Sequence, residues 1–212
     1  MTEMSTASSG VDHARRAPFV MIDADGVHED WWRDGLSEVV GGVSMLDWLR
    51  AGSRCRARLF GQLLERLSIR LAPVDARSTL GRLLAMDGGD FERILKRIGL
   101  GWNGALMARE IDRTVVRHAV ESVGEAAYRR SVGGYAVWGR PAPDHEDGAV
   151  ALERMCEDGI FCLRLWAARN DQDGIRQLLL RLPPENPDLD GIEDDVARRA
   201  AALVEREVQA DD

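Results

Sequence analysis

The chain has 212 residues, 45% of them apolar and 30% charged, with a formal net charge of -8. That composition belongs to a globular protein with one sizeable core or two small helical lobes and excludes a disordered chain. The negative balance argues against nonspecific nucleic-acid binding, which rests on neutralised phosphates, and no apolar run reaches the roughly 18 residues that a membrane-spanning helix needs.

Residues 1–18 are rich in Ser, Thr, Ala and Gly and read as a flexible terminus without the apolar segment of a secretory signal. Cys55, Cys156 and Cys162 form neither an even set nor a CxxC pair. This fits a reducing, cytoplasmic setting and a buried structural role for each thiol. No cofactor and no metal site is expected.

Phe19 to Asp30 contains a short apolar run followed by Asp23-x-Asp25-Gly26. This resembles the first motif of haloacid-dehalogenase-type phosphatases, which implies Asp23 as nucleophile and Asp25 as acid/base. Such chemistry also needs alternating strands and helices and a later strand-end lysine. The chain's one lysine, Lys96, lies in a helical pattern, so the segment reads as a turn and the phosphatase remains an alternative. A calcium loop fails because aligning Gly26 as its glycine places Met21 and Trp32 at ligand positions.

Trp31, Trp32, Leu36, Val39 and Val40 predict an anchoring helix ended by Gly41 and Gly42. Ser44 is placed to cap the next, with Asp47 three residues on. Leu46 through Leu67 is strongly helical with an interruption at Gly52 and Ser53, and Arg54, Arg56, Arg58, Glu65 and Arg66 form a solvated face. After Pro73, Asp75 is an expected N-cap for a helix to Met86, with Gly88 and Gly89 beyond it. Asp90 then caps a shorter helix predicted to stop at Gly99.

Within Gly101 to Trp138, one helix ends at Gly124 and a second starts at Glu125. Ile111, Val115, Val116, Ala119, Val120 and Val123 form its apolar stripe, with Arg113, Arg117 and Glu121 on the flank or back. Gly139 to Gly148 is linker-like, and His145 among Asp144, Glu146 and Asp147 reads as solvated. From Ala149 to Arg169, Leu152, Met155, Cys156, Leu163 and Trp166 share one face while Phe161 and Leu165 point nearly opposite. That helix is therefore expected to be buried on two sides or to meet a partner, with a kink at Gly159. A shorter helix from Asp171 to Leu182 precedes a proline-rich exit. A terminal amphipathic helix follows, with Ile192, Val196, Ala200, Leu203, Val204 and Val208 on one face.

The expected fold is all-α, a compact multi-helix bundle with short connections. Its parts are a flexible 1–18, a helical body 19–138, a linker or long loop 139–148, further helices of the same body 149–190 and an amphipathic helix 191–212.

Leu80-Gly81-Arg82-Leu83-Leu84, Ala108-Arg109-Glu110-Ile111-Asp112-Arg113 and Val123-Gly124-Glu125-Ala126-Ala127-Tyr128 together resemble the SctK-like (YscK/PscK-like) accessory proteins of bacterial type III secretion systems. Asp158-Gly159, Cys162-Leu163 and Arg181-Leu182-Pro183 extend the resemblance, which covers roughly residues 80 to 184. It implies a non-enzymatic adaptor of the cytosolic sorting platform, bridging the cytoplasmic domain of the inner-membrane ring to the pod protein. The protein would then sit in the cytoplasm or peripherally at the inner membrane through protein contacts, with no nucleic acid bound and no membrane insertion.

Interfaces favour Trp, Tyr and Arg, which makes Trp102, Arg109, Tyr128 and Trp138 candidate contacts, with core packing the competing role for the three aromatics. Arg113, Arg117, Phe161 and Leu165 complete the candidate set. A further alternative is a helical regulatory or chaperone-like module that binds exported substrates through the terminal helix.

Overall fold

The computed structural model describes residues 19–142, 147–170, 174–185, 189 and 191–210. Among them are eleven helices and one two-residue ladder. The helices are α1 (Glu29–Val40), α2 (Val43–Ala51), α3 (Ser53–Arg66), α4 (Thr79–Ala85), α5 (Gly88–Trp102), α6 (Gly104–Met107), α7 (Arg113–Val123), α8 (Glu125–Trp138), α9 (Gly148–Arg169), α10 (Ile175–Leu179) and α11 (Asp194–Gln209). β1 (Phe19–Val20) pairs antiparallel with β2 (Val74–Asp75), Phe19 opposite Asp75. The all-α expectation holds, with this ladder as a small addition.

The body is built on the crossing of α5 and α9. At their contact a Cβ on Gly99 would lie 1.7 Å from the Met155 carbonyl oxygen, and one on Gly159 would lie 2.0 Å from that of Leu95. Two backbones meet here with no room for a side chain, so both glycines are packing residues. Gly99 therefore does not stop α5, which continues to Trp102, and α9 runs unbroken through Gly159.

α11 lies across α5 and α9. It buries Ala200, Leu203, Val204 and Val208 in the same core that holds Leu95, Ile98, Leu163 and Trp166. The terminal stripe thus docks on this chain. A second cluster of Leu100, Leu106, Met107, Ala119, Val123, Ala127 and Ala151 seats α7 and α8.

Several caps fall elsewhere than predicted. Gly42, not Ser44, precedes α2, with no side-chain cap. Ser78 caps α4 by accepting from the Gly81 amide, while Asp75 spends its carboxylate on the Arg77 amide within the preceding turn. α5 is capped three residues before the expected Asp90, because Asp87 accepts from the Asp90 amide and Gly88–Gly89 open the first turn. Asp112 caps α7, so Ile111 stands outside the helix at 92% exposure and does not join its apolar stripe. The predicted stops at Gly41 and Gly124 hold, both with positive φ (91° and 86°), the region where a side chain would be strained.

Buried polar side chains stitch distant segments. The Gln177 side chain accepts from the Ile22 amide at 3.2 Å and donates to the Ala72 carbonyl at 2.7 Å. Arg181 Nη1 donates to the Leu83 and Leu84 carbonyls at 2.6 and 3.3 Å, placing a cation on the C-terminal end of α4. Asn103 Nδ2 donates to Gly99 O and to Asp158 Oδ2, and Arg140 Nε donates to Asn103 Oδ1, all within 2.7–2.9 Å. Of the thiols, Cys162 is buried and Cys156 half-buried, but Cys55 is exposed on α3, contrary to the buried role expected for each.

Candidate interaction surfaces

Asp23-x-Asp25-Gly26 is a turn. The Asp23 carboxylate accepts from the amides of Asp25 and Gly26, both at 3.0 Å, and Asp25 pairs with Arg56. The adjoining β1 has a single antiparallel partner two residues long, so among the described residues no open parallel sheet presents the carboxylates at a strand end. Among the described residues no cluster of His, Cys, Asp and Glu could hold a metal ion. His145 lies outside the described residues.

The eight predicted contact residues divide by burial. Trp102 and Leu165 are 4% and 3% exposed, so both fill the interior. The helix carrying Leu165 is two-sided because this chain covers both sides: α5 and α11 pack on it directly. Phe161 is half-buried with its ring 6.3 Å from that of Trp102. Trp138 is half-buried under the Arg206 guanidinium, 5.6 Å from its ring centre. Tyr128 is half-buried against the second cluster, and its phenol is held above the usual range by burial first and by Glu110 second.

Arg109, Arg113 and Arg117 remain on the surface. No hydrogen bond or ion pair to another described residue engages them. Their backbone is braced nonetheless. Glu110 Oε1 accepts from the Asp112 amide at 2.7 Å, and Oε2 accepts from the Gly148 amide at 3.1 Å, tying the turn before α7 to the start of α9. Arg113 and Arg117 are four apart on α7 and share its outer side. Ile111 projects between Arg109 and Arg113, giving one apolar side chain among three unpaired cations.

A second surface escaped sequence reasoning. Val39, Val43, Met45 and Trp48 are 57%, 44%, 49% and 72% exposed around the turn from α1 to α2. The turn is fixed by Gly41 and Gly42, at φ 91° and 118°, with the Gly42 amide bonded to the Ser37 carbonyl. Trp32 and Leu46 turn inward at 0% exposure. Trp48 lies two residues past Leu46, about 200° around the helix, and so faces solvent. That offset is the signal the sequence held.

The two surfaces sit on different elements, since α1, α2 and α3 pack on one another while α7 packs on α5, α8 and α9. What these features define is a braced helical body with two distinct exposed surfaces. Residues 16–208 match the family model described as YOP proteins translocation protein K (YscK), and the chain belongs to this family of type III secretion components. The match takes in the first three helices and α11, beyond the span of the sequence resemblance. No curated protein and no solved structure matches the chain. No helix among the described residues is long and apolar enough to cross a membrane.

Proposed function

We propose that the protein is a non-enzymatic adaptor of the type III secretion sorting platform, joining the cytoplasmic domain of the inner-membrane ring to the pod protein. The observation that carries this reading, within a YscK-family chain, is the pairing of two unlike exposed surfaces on separate elements of one packed body. The Trp48 patch suits an apolar partner face, and the Arg109, Arg113 and Arg117 face suits an acidic one. Membership of a type III secretion family supports partners drawn from that apparatus. The chaperone alternative loses its proposed surface, because the stripe of α11 is already covered by this chain's core.

Binding measurements with each purified partner test the assignment. Trp48→Glu should weaken one partner by more than about tenfold and spare the other. Arg113→Glu with Arg117→Glu should do the reverse, with helicity unchanged in both variants. Unaltered affinity for both partners in both variants would remove these surfaces from the account.

A further inference from the structure

We propose that a cleft between the end of α3 and α10 docks a partner segment carrying a large apolar side chain beside carboxylates. Its walls are Trp31, Leu67, Ile69 and Leu179, with Arg164 and Arg176 among the lining, and its volume is about 310 Å³. That is the lower end of ligand-sized pockets, about 300–1,000 Å³. It admits one or two anchoring side chains and is small for a large cofactor.

The walls are preset. Trp31 Nε1 donates to the Leu182 and Leu179 carbonyls at 2.8 and 3.3 Å, which holds the indole in place before anything binds. Leu67 and Ile69 flank Ser68, whose φ of 53° puts a non-glycine residue in the left-handed region. The amides of Ser68 and Ile69 bond back to the Glu65 and Leu64 carbonyls, so this turn is fixed at the end of α3. Preset walls lower the ordering cost of binding.

Charge selects the occupant. Among the described residues no carboxylate lines the cleft, although the whole chain carries a net charge of -8. Arg176 belongs to the lining and is exposed; Arg66 and Arg70 adjoin the wall residues Leu67 and Ile69 and are also exposed. None of these three is paired with a carboxylate among the described residues. Asp30, Glu65 and Glu185, the acids nearest the walls in sequence, are not part of the lining, and Asp30 pairs with Arg33 at 3.6 Å. An apolar socket lined by Arg176, with Arg66 and Arg70 next to its walls in sequence, complements an acidic-apolar segment and disfavours a basic one. The site deepens the adaptor reading and rests on it only for where the segment comes from.

The six tryptophans give separable indole N–H signals in a proton–nitrogen correlation spectrum of the full chain. Titration with acetyl-Glu-Leu-Phe-Asp-amide should shift the Trp31 signal saturably and leave that of Trp48 in place. The neutral counterpart acetyl-Gln-Leu-Phe-Asn-amide should bind about fivefold more weakly, the scale of a few exposed ion pairs. Arg70→Glu with Arg176→Glu, both exposed positions, should erase that preference while the rest of the spectrum is retained. An unmoved Trp31 signal, equal affinity for the two peptides, or a preference that survives the double variant would overturn the proposal. Because no secretion component is present, failure here is distinct from failure of the adaptor assignment.

Discussion

Gly99→Val should cost the protein a large fraction of its stability. Its Cβ would fall 1.7 Å from the Met155 carbonyl oxygen, and the obstacle is backbone that cannot swing aside. Relief requires α5 and α9 to separate along their crossing, which would uncover Leu95, Ile98, Leu163 and Trp166. Overpacking within side chains costs about 1–3 kcal/mol, and a clash against backbone exceeds that range. Against a total stability of about 5–15 kcal/mol this is a large fraction. Thermal unfolding followed by circular dichroism should show the midpoint falling by at least about 10 °C, and Gly159→Val should behave alike. Gly61→Ala in α3 is the control: nothing lies within 4 Å of its added Cβ, so helix propensity should raise stability by about 0.5–1 kcal/mol. Equal effects at Gly99 and Gly61 would mean that the crossing is not where the structure puts it.

Glu207→Ala should be the next most damaging change. Glu207 is fully buried in α11 with three arginines around it. Its Oε1 accepts from Arg206 Nε and Nη2 at 3.0 and 2.6 Å, while Oε2 lies 3.4 Å from Arg130 Nη2 and 3.8 Å from Arg97 Nε. Removing the carboxylate takes away the acceptor that these guanidinium groups share, at a position that is itself fully buried. Breaking such a buried pair costs about 3–5 kcal/mol. Chemical denaturation should show a correspondingly lower midpoint, with Glu207→Gln intermediate because it keeps an acceptor oxygen. An alanine variant as stable as the parent would show that α11 is held by its apolar stripe alone.

Local signals carried the helical outline. The glycine stops at Gly41 and Gly124, the break at Gly52 and the terminal stripe each depend on residues within a few positions of one another. Glycine misled where its reason was distant: Gly99 and Gly159 are 60 residues apart, and only their contact distinguishes a close crossing from a stop or a kink. Capping failed where several candidates lay within one turn, as with Asp87 and Asp90, because the choice depends on backbone direction before the helix. The Asn103 to Asp158 bond, 55 residues apart in sequence, has no local signature.

The contact surface was legible in part for the same reason. Arg113 and Arg117 could be placed outward from helical spacing alone. Residue type points Trp102 toward a partner, and its place opposite the main apolar face of its helix does the same for Leu165, while α5, α9 and α11 together bury them. Trp48 is legible only from its spacing, since two residues past the buried Leu46 turn it away from the core.

The adaptor assignment is tested most directly by light scattering on a size-exclusion column loaded with this chain, the inner-membrane ring cytoplasmic domain and the pod protein. One complex containing all three is expected, with no association of the ring domain with the pod protein when the chain is left out. A ring–pod complex that forms without the chain, or a chain that elutes alone in the presence of both, would contradict it.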